Sequence, residues 1–167
     1  MTTNTVNRVH TVMDIPLGRL TLVGAGGALT GMYMEQYRHR PRVETFGDLD
    51  GTPFQEAERQ LAAYFRGELR HFDLELSPSG TPFQLRVWQA LREIPYGETV
   101  SYGELAERLG VPTAARAVGL ANGKNPISVI VPCHRVIGAD GSLTGYGGGL
   151  QRKRYLLDFE QSEATLF

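Results

Sequence analysis

The one thiol of the chain, Cys133, stands in the run IVPCHRV, at the exit of an apolar, β-branched stretch, residues 127–131 (ISVIV), that reads as a buried strand. A lone cysteine is ordinarily a small buried hydrophobe and becomes a nucleophile only where its surroundings favour the thiolate. Here His134 and Arg135 place potential positive charge beside the sulfur, and Pro132 suits the opening of a helical turn whose free N–H groups favour the anion. Successive side chains of a strand face opposite ways, so Cys133 and His134 cooperate only if the backbone turns there or a water bridges them, and we favour the water. A base working through water needs an orienting carboxylate. Glu160, late in the amphipathic segment 150–163, is the candidate.

Upstream, the run SYGELAERLGVPTAARAVGLANGKNP begins at Ser101, which with Glu104 forms a capping box. Gly110 stops that helix and Thr113 is placed to cap a second, an arrangement that resembles a helix-turn-helix. The second helix is almost without side chains on one side, through Ala114, Ala115, Ala117, Gly119, Ala121 and Gly123. Such a surface approaches another backbone closely, whether that of DNA or of a neighbouring protein helix. Reading the major groove needs several long polar side chains, and this helix offers mainly Arg116 and Asn122. A thin helix with one arginine suits the minor groove, where a single side chain replaces an unstacked base, and sequence specificity should be low.

With 17 basic and 18 acidic residues the chain gives no global sign of a polyanion partner. Residues 111–139, however, contain no Asp or Glu and carry Arg116, Lys124 and Arg135, which makes that window the one plausible footprint for DNA. A single cysteine excludes a disulfide scaffold, and 167 residues with 41% apolar side chains suffice for a sizeable core without one. No run approaches the ~18 apolar residues of a membrane span, and the start MTTNTVNRVH lacks the apolar stretch of a secretory signal. The expectation is a cytoplasmic protein without membrane contact, where an unpaired thiol persists.

The expected fold class is α+β. Residues 8–13, 19–23 and 28–34 read as an antiparallel meander, with Gly24, Gly26 and Gly27 in a hairpin turn. Residues 36–51 lack a period and read as a functionally silent surface loop. The motif GTPFQ occurs at 51–55 and again at 80–84. Thr52 and Thr81 are expected as N-caps, Pro53 and Pro82 at the first helical position, and Gln55 and Gln84 as the far halves of capping boxes. The first helix should bury Phe54, Ala57, Leu61, Tyr64 and Phe65 and stop at Gly67, after which Phe72, Leu74 and Leu76 alternate like a strand. The second should bury Phe83, Val87, Ala90, Leu91 and Ile94. An N-terminal α/β lobe (1–79), with a small antiparallel sheet and a helix, then precedes a mostly helical C-terminal lobe (80–167) that holds the helix-turn-helix and the cysteine.

The segment NPISVIVPCHRV, together with RAVGLANG, IPYGETVSYGELA and TGYGGG, resembles the O6-alkylguanine-DNA alkyltransferase family, the methylated-DNA-protein-cysteine methyltransferases. The likeness is strong over residues 80–160 and colinear through the N-terminal lobe. It implies direct-reversal repair of duplex DNA: the alkyl group of O6-alkylguanine passes irreversibly to Cys133 once the nucleotide is swung out through the minor groove, while the sequence leaves open whether O4-alkylthymine is a second substrate. His134 would deprotonate Cys133 through water, Glu160 would orient His134, and Asn125 would hold the turn between the DNA-binding helix and the acceptor. Tyr102 would help rotate the nucleotide and protonate the departing guanine, while Arg116 fills the stack. Thr113, Ala114, Ala115, Ala117, Gly119, Ala121 and Asn122 would accompany Arg116 on the DNA face. Tyr146 would line the base pocket with Tyr102, Val136 and Gly147. Where some relatives carry serine this chain has Gly147, so a roomier pocket is expected.

Some relatives hold zinc in the N-terminal lobe, but this chain has no cysteine there and His10, His39 and His71 lack ligand spacing, so neither metal nor cofactor is expected. A monomer that clusters on DNA fits the same reading. An alkyl thioether has no hydrolytic exit, so one molecule should repair one base, unlike a cysteine hydrolase with Cys133 and His134, which would turn over. The alternative from another class is a non-catalytic helix-turn-helix module that binds damaged DNA.

Overall fold

The structure, a computed structural model, describes residues 7–164. The outermost tails of the two expected lobes, 1–6 and 165–167, lie outside the described residues. The chain forms two compact units, one running through Gln36 and resuming over Arg40–Pro78, the other made of Tyr37–His39 and the residues from Ser79 onward. The division after Pro78 is one residue from the expected boundary. The assignment of Tyr37–His39 to the second unit is a correction, because the sequence placed them in a silent loop of the first.

In the first unit β1 (Arg8–Ile15), β2 (Gly18–Ala25) and β3 (Ala28–Met34) form the antiparallel meander. Gly26 and Gly27 both have positive φ, 62° and 84°, between paired Ala25 and Ala28, the left-handed pair that a two-residue hairpin turn requires. The loop is less irregular than expected: β4 (Asp48–Leu49) pairs in parallel with β1, giving the order β3-β2-β1-β4. Helix α1 (Gln55–Phe65) buries Ala57, Leu61 and Tyr64. It ends as expected at Gly67 (φ 77°), where Gly67 N–H bonds the Tyr64 carbonyl and Glu68 N–H that of Ala63. Residues 72–76 form no strand, only a bridge from Leu76 to Leu29, flanked by Leu29 N–H to Glu75 O and Ser77 N–H to Leu29 O.

The two GTPFQ motifs fold differently. At the second, Thr81 and Gln84 complete the capping box of α2 (Pro82–Leu91), with bonds of 3.1 and 3.0 Å. At the first, Asp50 accepts the Thr52 N–H at 3.0 Å, residues Thr52–Phe54 tighten into a 3₁₀ turn, and α1 starts at Gln55 without a side-chain cap. An aspartate two residues ahead captures the N–H in a local turn; Ser79, its counterpart at the second motif, does not. Helix α2 buries Val87 and Leu91 together with Trp88, which was not anticipated, while Phe83 and Ala90 are only half-buried.

Helix α3 (Tyr102–Arg108) is capped by Ser101, whose hydroxyl accepts the Glu104 N–H at 3.0 Å. Helix α4 (Ala115–Gly123) follows, but Thr113 does not cap it: Ala114 occupies the cap position and offers no side-chain bond. Pro112 and Thr113 form the middle of a turn closed by Ala114 N–H to Val111 O at 2.9 Å, the position proline favours, so the threonine is spent there. The two-stranded parallel sheet of β5 (Val100–Ser101) and β6 (Val136–Ile137) ties the start of α3 to the segment after Cys133, and α5 (Leu150–Ala164) completes the unit.

Candidate active site

Residues 127–131 are buried as predicted but do not form a strand. They coil into turns in which Val129 takes φ 68°, Ile130 N–H bonds Ser128 O, and Val131 N–H bonds Ile127 O. A left-handed conformation is costly for a β-branched residue and persists only where its surroundings enforce it. The enforcing residue is Asn125, fully buried: its Oδ1 accepts Ile127 N–H at 3.0 Å and its Nδ2 donates to Val131 O at 2.8 Å. Backbone turns of α4 end in this knot, so the helix that carries Arg116 and the acceptor are joined by one side chain.

Cys133–Arg135 is a single 3₁₀ turn. The backbone therefore does turn between the cysteine and the histidine. His134 Nε2 lies 2.8 Å from Glu160 Oε2, with both side chains buried. Its Nδ1 is buried with no hydrogen-bond partner among the described residues. Arg135 does not face the sulfur as the sequence reading had it. Its Nε and Nη2 donate to the two Glu160 oxygens at 2.8 and 3.0 Å, its Nη1 donates to Ile94 O at 2.6 Å, and it is buried as well. It is accordingly withdrawn from the expected DNA footprint, where Arg116 and Lys124 remain exposed.

The consequence is electrostatic. Burial pushes the Cys133 thiol up to about 11, against the opposing pull of the Asn125 side chain and the Lys153 ammonium. The resting sulfur is a protonated thiol and not the spontaneous thiolate that its sequence neighbours suggested. The turn contributes little: the Cys133 N–H, which also bonds Val131 O at 2.8 Å, lowers the thiol less than Asn125 or Lys153 does and far less than burial raises it. Burial also lowers the His134 pKa, outweighing the neighbouring Glu160, so the imidazole is neutral. Burial alone would raise Glu160, yet His134 and Arg135 together hold it far below the usual carboxylate range. A neutral thiol beside a neutral base backed by a fixed anion can exchange a proton internally.

Lys153 was missed. It is 0% exposed, and its Nζ donates to Val136 O at 2.6 Å and Thr144 O at 2.8 Å and lies 5.9 Å from the centre of the Tyr102 ring. Burial brings its pKa down to about 8, with the charge of Cys133 acting the other way. The signal was in the helical spacing: residues 153, 156, 157 and 160 recur at helical intervals, and Lys153 shares the buried stripe of Leu156, Leu157 and Glu160.

Tyr102 opens α3 half-buried, and its hydroxyl donates to Thr144 O at 3.0 Å. Burial raises its pKa, so it is a neutral phenol with a proton to give. Val136 is fully buried and Tyr146 7% exposed. Gly119, Leu120, Gly123, Gly145, Tyr146 and Gly147, with Arg38, His39 and Lys124, line a cavity of about 190 Å³. The expected extra room at Gly147 is absent: a Cβ there would stand 2.6 Å from Tyr37 Cζ, so the tyrosine ring already holds that space.

On α4 and the turn before it, Thr113, Arg116 and Ala117 are exposed and Ala114, Ala115 and Gly119 half-buried. Ala121 and Asn122, expected on the outer face, are instead buried. The Ala121 carbonyl accepts the Trp88 indole N–H at 2.9 Å, and Asn122 Nδ2 donates to Cys133 O at 3.3 Å. The outer face gains Leu120, 64% exposed one turn beyond Arg116.

Residues 9–78 match the ribonuclease-like domain of 6-O-methylguanine DNA methyltransferase, and residues 82–162 match its DNA-binding domain. A methylated-DNA–protein-cysteine methyltransferase of Mycobacterium bovis is 57% identical over 162 residues, 95% of this chain and 98% of the relative. One of Methanosarcina acetivorans is 50% identical over 153 residues, covering 92% and 98%. A crystal structure of Mycobacterium tuberculosis OGT in complex with DNA superposes with a TM-score of 0.89 at 57% identity, covering 93% of this chain and 94% of that one. With both halves matched and the likeness running through the Cys133, His134 and Glu160 region, the chain belongs to the 6-O-methylguanine DNA methyltransferase family.

Proposed function

We propose that the protein repairs DNA by moving the alkyl group of O6-alkylguanine onto Cys133, once per molecule. The observation that carries this reading is the buried Cys133 turn beside a neutral His134 whose Nε2 is held by Glu160 and whose Nδ1 has no hydrogen-bond partner among the described residues. His134 takes the thiol proton through a bridging water and Glu160 stabilises the resulting imidazolium. The thiolate attacks the alkyl carbon, the carbon–oxygen bond breaks, and the bonding electrons leave with the guanine oxygen. Tyr102 supplies the proton that lets the base depart neutral. Lys153, as a cation beside the sulfur, favours the anion at the moment it forms.

In duplex DNA the target oxygen is stacked and paired, so the nucleotide has to leave the helix at a cost of a few kcal/mol. Exposed Arg116 on a helix of small residues is suited to fill the gap, and exposed Leu120 beside it supplies an apolar surface against the neighbouring bases. Asn125 links that helix to the acceptor, and Tyr146, Val136 and Gly147 bound the base site. The thioether product has no hydrolytic exit, and no second cysteine exists to resolve it. No helix among the described residues is long and apolar enough to cross a membrane. The need of this chemistry for a reduced thiol and for DNA supports a cytoplasmic location.

Intact-mass analysis after incubation with an O6-methylguanine duplex tests the reading. A one-methylene gain confined to the Cys133 peptide and saturating at one per molecule is expected. Binding without mass gain, identical in wild type and Cys133→Ala, would establish a non-catalytic damage-binding module instead.

A further inference from the structure

Tyr37 and Gly147 compete for one space. A Cβ at Gly147 would stand 2.6 Å from Cζ of Tyr37 and 2.9 Å from both Cε2 and Oη, distances no real contact tolerates. The ring cannot swing aside freely, because it is 5% exposed and its hydroxyl donates to the Asn125 carbonyl at 2.6 Å. The next residue adds a second tie, Arg38 N–H to Gly147 O at 2.8 Å. The tyrosine is thus anchored both to the turn that feeds the acceptor and to the glycine loop that lines the cavity. Local sequence gives no hint of this, since 88 residues separate Tyr37 from Asn125.

We propose that Tyr37 is a specificity-setting residue of the acceptor site, its ring forming the wall behind Gly147 that limits how large a group on the guanine oxygen can be presented to Cys133. The inference rests on the alkyl-transfer reading above. A larger substituent needs the Gly147 backbone to retreat, and the space behind that backbone is occupied by an aromatic ring in a densely packed interior, where added volume is costly. Removing the ring gives the loop somewhere to go. Adding a methyl at position 147 while the ring stays pushes the loop toward the substrate, and removing the ring together with that addition returns the wall close to its original place. Tyr37 acts on selectivity through Gly147 and touches no reacting atom, which makes it a positioning residue.

The experiment measures single-turnover transfer from one duplex sequence carrying either O6-methylguanine or O6-benzylguanine and reads the benzyl-to-methyl ratio of rates. Partial unfolding and altered DNA affinity cancel in that ratio, so a merely structural role would leave it unchanged. Tyr37→Ala should raise the ratio at least about fivefold, Gly147→Ala should lower it by a similar factor, and the double variant should return to within about twofold of wild type, the scale of discrimination a methylene-sized change in an apolar pocket confers. Tyr37→Phe keeps the ring and removes the hydroxyl that bonds the Asn125 carbonyl; it should slow both substrates alike. Should Tyr37→Ala not fold, Tyr37→Leu reads the same ratio, with at least a threefold rise expected. Ratios within twofold of wild type in the Tyr37 and Gly147 single variants overturn the proposal. A wild-type protein that gains no alkyl mass from either duplex overturns the alkyl-transfer reading itself, and this inference with it.

Discussion

The protonation states of the site make a quantitative prediction about pH. With the thiol at about 11, the thiolate in equilibrium with bulk water is about 1 part in 10⁴ at pH 7 and grows tenfold per pH unit. If bulk water took the proton, transfer would accelerate about thirtyfold between pH 6.5 and 8. If His134 takes it, thiol and imidazole become thiolate and imidazolium with no net exchange with solvent. The rate is then flat above the lowered pKa of His134, which lies below 6.5. Lys153 sets the upper edge of the flat region, because it loses its charge as pH rises through about 8 and ceases to support the anion. The rate should therefore decline above pH 8, the opposite of ordinary thiol chemistry.

Free O6-benzylguanine is the appropriate substrate, since it removes DNA binding from the measurement. Single-turnover alkylation followed by intact mass should change less than about threefold from pH 6.5 to 8 in wild type. His134→Gln retains a donor to Glu160 but no base, and should regain the tenfold rise per unit. Lys153→Met should abolish the decline above pH 8 and lower the plateau. A wild-type rate that climbs thirtyfold across the lower window refutes the internal proton transfer, whatever the variants do.

Three further outcomes follow from the same geometry. Glu160→Gln leaves the Arg135 guanidinium buried opposite a neutral amide and should cost about 3–5 kcal/mol by denaturant unfolding; a loss under 1 kcal/mol would contradict the pairing at 2.8 and 3.0 Å. In wild type, stability should fall as pH drops below about 6.5, because the unfolded histidine gains a proton that buried His134 resists. It should fall further below about 4.5, as the unfolded state protonates a carboxylate that the native state keeps ionised. A pH-independent melting temperature from 7 to 4 would refute both. Arg116→Ala and Leu120→Ala should slow repair in duplex DNA at least tenfold more than reaction with free O6-benzylguanine, and equal losses on both substrates would remove their role in extruding the base.

What could be read from the sequence was what neighbours in the chain decide. The glycine pair at 26 and 27, the Thr81–Gln84 capping box and the Gly67 stop all depend on spacings of a few residues, and each stands in the structure. Contacts that span long separations were out of reach. Arg135 looked like charge for the sulfur until Glu160, 25 residues on, claimed it. The loop at 36–51 looked silent because nothing local reveals that Tyr37 meets Asn125. The stretch 127–131 has a strand's composition, yet the Asn125 side chain takes up its N–H and carbonyl groups and forces Val129 to a positive φ. In the first two cases a tertiary partner overrode the local reading; in the third a buried side chain two to six residues upstream did.

The misplaced Arg135 charge changes the account of how the cysteine is controlled. Had both neighbours pointed at the sulfur, the thiolate would persist at rest and react with any electrophile or oxidant that reached it. Instead the positive charge of Arg135 is spent on Glu160, Cys133 is 2% exposed, and the sulfur keeps its proton. The anion exists only while His134 holds the proton, so reactivity is confined to a site already closed around an alkyl group. Alkylation itself then has a structural cost, because the added carbon enters a packed interior and should destabilise the product by about 1–3 kcal/mol. A lower melting temperature for protein alkylated at Cys133 than for the free thiol is the expected signature; equal melting temperatures would mean that the pocket keeps spare volume beside the sulfur, and the packing argument for selective reactivity would fall with it.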